Sequence, residues 1–226
     1  MRICAFSDMH GQYDFKVEPC DIVLICGDIV PLNIQTNSYK TEEWLKTFFI
    51  PWCNNLPCEK VVFIAGNHDF GFMRHPDRMS DALKGQDKIV YLNCETFEYK
   101  GKVIYGTPWC KPFYNWAFME PVEESDERYK DIEKIDILVS HDAPYGISDV
   151  LLQEDCLWAD GSHIGNHALR RLIDRVKPQI VCHGHLHSCQ HEGEELNGTS
   201  IYCVSLLDEG YKMVYKPLYI DLKDDK

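Results

Sequence analysis

The chain has 226 residues, of which 45% are hydrophobic, and carries a formal net charge of −13. This length and composition predict a single globular domain over residues 1–226 and exclude a disordered or low-complexity chain. The acidic charge argues against extended nucleic acid as a partner. A small phosphate ester stays compatible as a substrate, because bound cations can reverse the local field.

Membrane contact and secretion are not expected. No apolar run approaches the roughly 20 residues that cross a bilayer, and the N-terminal stretch MRICAFSDMHGQYD turns polar too early for a signal peptide. The 11 cysteines are odd in number and show no C-x-x-C spacing. We therefore interpret them as reduced thiols in a cytoplasmic protein. The sequence indicates no oligomeric state.

Apolar runs alternate with helical patterns along the chain, which predicts an α/β fold. The predicted strands are Arg2–Phe6, Ile22–Cys26, Val61–Ala65, Lys102–Gly106, Ile137–Ser140, Ile180–His183 and Ser200–Val204. Helices are predicted from Thr41, where apolar residues recur at helical spacing, and from about Asn166 up to Pro178. The segment Val122 to Lys134 predicts a more exposed helix.

Polar side chains capable of binding metals come immediately after five of these predicted strands in the sequence. They are Asp8 and His10; Asp28; Asn67, His68 and Asp69; His141; and the pair His183 and His185. In a layered α/β protein the carboxyl ends of strands open into loops where ligands bind, so these groups are expected to share one edge. Each motif alone is also typical of a turn or a solvated histidine. Their ordered succession favours a site.

The chemistry of these groups is that of a metal centre. Carboxylate, amide oxygen and imidazole together favour Mn²⁺ or Fe, with Zn²⁺ as an alternative, over Ca²⁺, which prefers oxygen ligands alone. A lone structural zinc ion takes about four ligands, usually including thiolates. The seven candidates here would suffice for two ions that share one carboxylate; they are Asp8, His10, Asp28, Asn67, His141, His183 and His185.

The blocks DMH, GD, GNHD, SHDAP and GHLH, in this order, resemble the calcineurin-like metallophosphoesterase superfamily. The resemblance extends from Asp8 to His185. It implies a single-domain β-sandwich of two mixed sheets flanked by helices, the calcineurin-like metallophosphoesterase fold. It further implies that one divalent ion is held by Asp8, His10 and His185. The other would be held by Asn67, His141 and His183, with Asp28 bridging the two.

The resemblance also implies a mechanism, in which a hydroxide that bridges the two metals attacks the phosphorus of the ester. His68 is implied as the catalytic histidine beside the leaving group, and Asp69 as the residue that orients it. Imidazole titrates in a range suited to donating a proton to a departing alkoxide. A carboxylate at Asp69 is expected to favour the protonated ring. Activity is expected to fall in acid, because metal-bound histidines must be neutral.

Departures from subfamily patterns narrow the range of substrates to be expected. The text GDIVPLN lacks the arginine of the G-D-x-V-D-R-G block of protein phosphatases. The segment Ile104–Phe113, IYGTPWCKPF, resembles small phosphodiesterase-like members, which include the metallophosphoesterase-domain brain proteins and bacterial relatives. Trp109 and Phe113 are predicted at a pocket rim where a base or aryl group could stack, although TPW is as typical of a turn under the core. Arg74 is a candidate phosphate contact, with a surface position as the alternative.

We therefore predict a phosphodiesterase that acts on small esters such as cyclic nucleotides. The alternatives are a phosphomonoesterase or nuclease with the same centre, and a metal-binding scaffold for protein interactions. Three further groups have structural interpretations. His163 and His167 have i,i+4 spacing but no H-E-x-x-H motif. His187 and His191 are predicted to face solvent, and Cys182 and Cys189 to be packing residues.

Overall fold

The computed structural model describes residues 1–152, 160–189 and 191–222. Within these residues the strands form two mixed sheets that lie face to face, with helices on their outer sides, as predicted. The first sheet has the order β11-β1-β2-β3-β4, and the second has the order β5-β6-β7-β8-β10-β9. β1 to β4 run parallel, and so do β6, β7, β8 and β10, while β11, β5 and β9 are antiparallel edge strands.

The strands are short and mostly buried on both faces. Their bounds are β1 Arg2–Phe6, β2 Ile22–Cys26, β3 Lys60–Ile64, β4 Ile89–Tyr91, β5 Glu95–Tyr99, β6 Lys102–Thr107, β7 Ile137–Ser140, β8 Ile180–His183, β9 Glu194–Leu196, β10 Thr199–Cys203 and β11 Leu218–Asp221. The central strands are almost wholly apolar because neighbouring layers cover both faces of each sheet. Three of the seven predicted strands differ from the observed ones by one residue at one or both ends, and β4, β5, β9 and β11 were not predicted.

The helices lie outside the two sheets. They are α1 Ser38–Trp44, α2 Ile50–Asn55, α3 Phe70–Arg74, α4 Pro76–Leu83, α5 Val122–Tyr129 and α6 His167–Val176. A π-helical segment, Leu45–Phe49, joins α1 to α2 in place of the continuous helix predicted from Thr41. The predicted exposed helix is shorter than expected, because α5 ends at Tyr129. None of the described helices is long and apolar enough to cross a membrane.

Local sequence fixes the ends of α6. The side chain of Asn166 caps the N-terminus by accepting hydrogen bonds from the backbone N–H groups of Ala168 and Leu169, at 2.9 and 3.3 Å. Lys177 ends the helix in the left-handed conformation, with φ 48°, and Pro178 follows. The helix buries Leu169, Leu172 and Ile173 against the second sheet, whose Val181 belongs to the same cluster.

Three apolar layers support the carboxyl ends of the strands. One lies between the first sheet and α1 to α4 and contains Phe6, Phe49 and Phe63. A second lies between the two sheets, where Ile64 of the first sheet and Val139 of the second belong to one cluster. The third lies between the second sheet and α5 and α6. The ten cysteines of the described residues are all free thiols, as predicted.

Candidate metal centre and active site

Seven polar side chains meet at the carboxyl ends of β1, β2, β3, β7 and β8. We call this set the floor of the site; it comprises Asp8, His10, Asp28, Asn67, His141, His185 and His187. Four of them have left-handed backbone conformations, with φ 56° at Asp8, 45° at His10, 52° at Asp28 and 70° at His185. Such conformations are costly for residues other than glycine and tend to cluster at functional sites.

Two glycines allow the loops to approach the floor closely. A Cβ atom at Gly66 would lie 2.3 Å from Oδ1 of Asp28. A Cβ atom at Gly184 would lie 2.5 Å from Oδ2 of Asp8. Neither position could carry a larger residue without displacing a carboxylate of the floor.

The first part of the floor is the Asp8 group, which consists of Asp8, His10 and His187. Their donor atoms lie within 4.8 Å of one another. Nε2 of His187 is 3.4 Å from Nε2 of His10 and 3.5 Å from Oδ1 of Asp8. Two ring nitrogens and a carboxylate oxygen therefore converge on one small volume.

The second part is the Asn67 group, which consists of Asn67, His141 and His185. Oδ1 of Asn67 lies 2.9 Å from Nε2 of His141 and 2.8 Å from Nδ1 of His185. Asp28 stands between the two groups. Its Oδ2 atom is 3.6 Å from Nε2 of His10 and 3.5 Å from Nε2 of His141.

The placement of the last two histidines corrects two sequence predictions. His187 does not face solvent: it is 8% exposed and belongs to the Asp8 group. The ring of His185, predicted to bind a metal with Asp8 and His10, contacts Asn67 instead. His183 is fully buried, but its donor atoms join no metal-competent cluster found among the described residues, and its Nε2 atom has no hydrogen-bond partner there.

The motif itself contained the signal that was missed. GHLH begins at Gly184, so its two histidines are His185 and His187. The prediction took the histidines on either side of Gly184 instead. His183 ends β8, paired in register with Ser140 and Cys203, while His185 and His187 lie in the loop beyond the strand.

Backbone carbonyls orient two of the imidazoles. Nδ1 of His141 lies 2.7 Å from the carbonyl oxygen of Cys26, and Nδ1 of His187 lies 3.0 Å from that of Asp208. A carbonyl can only accept, so each Nδ1 atom carries a proton, and Nε2 is the atom of each ring that would bind a cation. Metal-binding histidines usually have such a partner on the second nitrogen.

The carboxylates of the floor are held by donors as well. Oδ2 of Asp8 accepts hydrogen bonds from the hydroxyl of Ser205, at 2.7 Å, and from the backbone N–H of His185, at 3.0 Å. Oδ1 of Asp28 accepts from the backbone N–H of His68, at 2.7 Å. Both carboxylates are thus fixed with one side directed toward the histidines.

Burial and pairing with carboxylates shift the pKa values of the four floor histidines in opposite directions. Burial lowers the pKa of His10 to about 4 and that of His185 to about 3. At His141, burial is outweighed by the charge of Asp28, and the pKa rises to about 10. At His187, burial is outweighed by the hydrogen bond to Asp8 and its charge, and the pKa rises to about 9. The pKa values of Asp8 and Asp28 lie well below the usual range, because nearby imidazolium charges outweigh burial.

This charge pattern fits bound cations. The two floor carboxylates are buried, and they raise the pKa of the imidazoles of His141 and His187. Divalent cations would take the place of the protons that these carboxylates favour. The set of carboxylate, amide and imidazole donors suits Mn²⁺, Fe or Zn²⁺. Cys110 also lies within 4.8 Å of donor atoms of His141 and His185, but its thiol donates to the carbonyl oxygen of Pro108, at 3.6 Å.

His68 lies at the edge of the floor with a partner that the sequence did not indicate. Its Nδ1 atom is 2.6 Å from Oε1 of Gln35, which lies in the loop after β2. Its ring is 4.3 Å from that of Trp116, with an angle of 33° between the planes. Burial lowers the pKa of His68, and the charge of Asp28 only partly offsets this effect.

Asp69 does not orient the ring of His68, which corrects its predicted role. It is fully buried, and its carboxylate accepts backbone hydrogen bonds from Ile29, Val30 and Gly66, at 3.2, 2.9 and 2.8 Å. Asp69 therefore ties the loop after β2 to the loop after β3. Burial and the charge of Asp28 raise its pKa to about 7, so near neutral pH it carries only part of a negative charge.

A cavity of about 560 Å³ opens above the floor. Its wall is formed by aromatic side chains from two loops, namely Phe113, Tyr114, Trp116 and Tyr211. The ring of Phe113 lies 5.0 Å from that of His185, and the ring of Tyr211 lies 5.0 Å from that of His10. Among the described residues that line the cavity, Lys111 is the cationic side chain besides the histidines, whereas Asp142 and Glu209 add carboxyl groups.

Two predicted substrate contacts lie elsewhere. Trp109 does not line the cavity; it packs 5.4 Å from the ring of Phe118, with the guanidinium of Arg128 4.5 Å above its ring. Arg74 stacks over the ring of Phe70, at 4.4 Å, and also lies outside the cavity lining. Trp116 occupies the position that had been expected for Trp109.

His163 and His167 have separate partners. Nδ1 of His163 is 2.6 Å from Oδ1 of Asp149, and the ring of His167 stacks on Tyr145 at 3.7 Å. Neither histidine belongs to a cluster of three metal-competent donors among the described residues. Their i,i+4 spacing therefore reflects two local contacts.

Known proteins share this arrangement of elements. The family model of calcineurin-like phosphoesterases matches residues 1–189. Metallophosphoesterase domain-containing protein 1 of Homo sapiens is 28% identical over 249 aligned positions, which cover 98% of this chain and 71% of the human one. A UPF0046 protein of Caenorhabditis elegans is 29% identical, with 98% and 81% covered. The crystal structure of TT1561 from Thermus thermophilus superposes with a TM-score of 0.61 at 13% identity, covering 89% and 88%, which shows a shared fold.

Proposed function

The chain belongs to the calcineurin-like phosphoesterase family, and on this premise we propose that it is a metal-dependent phosphodiesterase acting on small phosphodiesters such as cyclic nucleotides. The observation that carries the proposal is the position of Asp28. Its Oδ2 atom lies 3.6 and 3.5 Å from imidazole nitrogens of two separate donor groups. A shared carboxylate between two donor sets is typical of a centre for two cations.

We assign the ligands by this geometry. One cation would be held by Asp8, His10 and His187, the other by Asn67, His141 and His185, and Asp28 would contact both. The donors favour Mn²⁺ or Fe, with Zn²⁺ as an alternative. When bound, such cations polarise the ester oxygens and lower the pKa of a bound water toward neutrality.

His68 is proposed to handle the proton of the leaving group. Its Nδ1–H donates to Gln35, which leaves Nε2 as the atom that can exchange a proton with an ester oxygen in the cavity. Hydrogen-bonded at Nδ1 and packed against Trp116, the ring is fixed in one orientation. Such preorganisation lets a general acid act at the moment the oxygen departs.

The cavity supports a diester more than a monoester. At neutral pH a diester carries about one negative charge, whereas a monoester carries nearly two. Apart from the cations proposed at the floor, the described lining offers Lys111 as a cation but also the carboxyl groups of Asp142 and Glu209, so these side chains do not favour a second negative charge on the substrate. The aromatic wall instead suits an apolar or aromatic group on the second ester oxygen.

The test compares bis(p-nitrophenyl) phosphate with p-nitrophenyl phosphate on the metal-stripped protein, before and after addition of Mn²⁺. We expect hydrolysis only with metal, and a higher kcat/KM for the diester. A surface variant, Asp87→Asn, is the matched control for protein handling because Asp87 is exposed and far from the floor in sequence.

The alternatives give different results in the same assay. A higher kcat/KM for the monoester would contradict the diesterase proposal and indicate a phosphomonoesterase. Cleavage of an oligonucleotide in preference to both small substrates would indicate a nuclease. Metal binding without hydrolysis of any of them would contradict an enzymatic function and favour a metal-binding scaffold.

A further inference from the structure

A second cluster of metal-competent donors lies behind the floor. It consists of Cys189, His191 and Cys203, whose donor atoms all lie within 4.8 Å of one another. Cys203 ends β10, and the other two residues follow His187 in the chain. None of the three belongs to the floor, so the cluster is a separate feature.

The spacing of the cluster matches a tetrahedral ion. Zinc binds sulfur at about 2.3 Å and nitrogen at about 2.0 Å, which places its donors roughly 3.5–3.8 Å apart. Nε2 of His191 is 3.9 Å from Sγ of Cys203. This pair would reach a zinc-binding distance with a shift of a few tenths of an ångström, and the other pairs, within 4.8 Å, with a shift of at most about 1 Å.

The surroundings hold the donors in place. Cys189 is fully buried and Cys203 is 3% exposed, so neither thiol moves freely into solvent. The ring of His191 stacks on Tyr215 at 3.5 Å, with 14° between the planes. This stacking fixes Nε2 on the side of the two sulfur atoms.

We infer that Cys189, His191 and Cys203 bind a zinc ion, with the fourth position left to water. Two thiolates and one imidazole form a three-ligand zinc set with an open position. The donors are softer than the carboxylates and amide of the floor, so the two sites select different metals. Mn²⁺ prefers the floor, whereas zinc and cobalt also occupy the thiolate cluster.

The position of the cluster suggests what the ion does. Nε2 of His191 donates to the backbone oxygen of His187, at 3.3 Å, and an ion bound at Nε2 would replace this hydrogen bond. Leu186 packs with Cys189 and Cys203. An ion at the cluster would tie β10 to the segment that carries His185 and His187. It would thereby fix the loop that supplies two floor histidines.

The experiment uses cobalt as a spectroscopic substitute for zinc. The full chain is stripped of metal under reducing conditions, saturated with Mn²⁺, and then titrated with Co²⁺. We expect a near-ultraviolet sulfur-to-cobalt charge-transfer band that saturates at one cobalt per chain. Cys189→Ser and Cys203→Ser should each abolish the band while elemental analysis still finds manganese bound.

Two other cysteines provide matched controls. Cys182 lies on β8 but packs between the sheets, so Cys182→Ser should keep the band. Cys110→Ser tests whether the thiol near His141 and His185 is the true ligand instead. If Cys203→Ser fails to fold by circular dichroism, Cys189→Ser and His191→Gln in the loop carry the test.

Three results would overturn the inference. They are the absence of a charge-transfer band in the parent protein, its survival in Cys189→Ser, and its loss in Cys110→Ser alone. The first would identify the cluster as apolar packing of thiols. Failure of the phosphodiesterase proposal leaves this readout untouched, because the band depends on sulfur ligands and not on turnover.

Discussion

The floor and the wall of the cavity are built in opposite ways. Floor side chains are largely buried, with His141 at 0% and His187 at 8% exposure. The wall residue Tyr114 is 86% exposed. Floor side chains follow strand ends and accept or donate several hydrogen bonds, whereas wall side chains are aromatic rings on loops.

We interpret this difference in burial as a division of roles, in which the floor carries out the reaction and the wall selects the substrate. A donor set must be held within a few tenths of an ångström, so it is placed on the rigid ends of two packed sheets. A wall that contacts only part of a substrate can tolerate movement and is placed on loops. Substitutions in the floor should therefore affect hydrolysis of every substrate, and those in the wall should affect only some.

The sharpest test of this contrast is Asp28→Asn. It removes the carboxylate that both donor groups share, and cation stabilisation of a transition state contributes several kcal/mol. We expect kcat/KM to fall at least about a thousand-fold, since each tenfold step corresponds to about 1.4 kcal/mol. Bound metal should fall as well, which elemental analysis measures.

Asp87→Asn is the control for Asp28→Asn, because it makes the same chemical change at an exposed position. It should retain parent activity and metal content. Equal activity of Asp28→Asn and the parent for both small esters would show that Asp28 has no part in catalysis, and the division between floor and wall would lose its basis.

Much of the floor could be predicted from sequence because strand ends are visible there. Asp8, Asp28, Asn67 and His141 each follow an apolar run directly, and parallel strands bring such ends to one edge. The edge strands were harder to predict. β5, Glu95–Tyr99, is largely exposed and has no long apolar run, so its pairing with β6 depends on tertiary context.

The remaining parts of the site lacked a local signal. Gln35 and Trp116 lie in loops, and nothing in their own neighbourhoods indicates that both contact His68. Trp109 lies in a motif-like segment but packs against Phe118. Local sequence shows which residue types are available, whereas loop conformation decides which of them reaches the cavity.

A second test sharpens the floor itself by comparing His187→Ala with His183→Ala. His187 contacts Asp8 and His10, so its removal should lower kcat/KM by about a hundred-fold or more and weaken the affinity for Mn²⁺. His183 joins no donor cluster among the described residues, so its removal should cost far less. Manganese titration and kinetics on the same preparations measure both effects.

The two histidines lie on the same segment and differ little in burial, which makes them a matched pair. A larger loss of metal affinity in His183→Ala than in His187→Ala would restore the assignment of the histidines that the sequence predicted. Thermal unfolding of both variants separates a loss of ligand from a loss of fold.

Substitutions at Gln35 test a residue that belongs to neither floor nor wall, because it acts through His68. Gln35→Leu leaves Nδ1 of His68 without its acceptor, and we expect kcat to fall about ten-fold, a part of what a general acid contributes. Gln35→Glu restores the acceptor and adds negative charge, which raises the pKa of His68. Its activity should recover and persist to higher pH than in the parent.

Asp69→Asn is the informative comparison for Gln35. Asp69 accepts three backbone hydrogen bonds but does not hold the ring of His68. We expect Asp69→Asn to lower the melting temperature without an alkaline shift of the pH profile. A pH shift in Asp69→Asn, with none in Gln35→Glu, would return the orienting role to Asp69.

The smallest expected effect lies in the wall, where Trp116→Ala can be compared with Trp109→Ala. Both changes remove one indole, but only Trp116 lines the cavity. Aromatic stacking contributes about 0.5–1.5 kcal/mol, so Trp116→Ala should raise KM for bis(p-nitrophenyl) phosphate roughly two- to ten-fold.

Since Trp116 also packs against His68, a change in kcat alone would indicate that it positions the acid. A change in KM for aryl esters, with none for an alkyl diester, would identify it as the surface that selects the substrate. Trp109→Ala should alter stability and leave the ratio of kcat/KM for the aryl and alkyl diesters unchanged, because the ring of Trp109 contacts Phe118 and Arg128 outside the cavity.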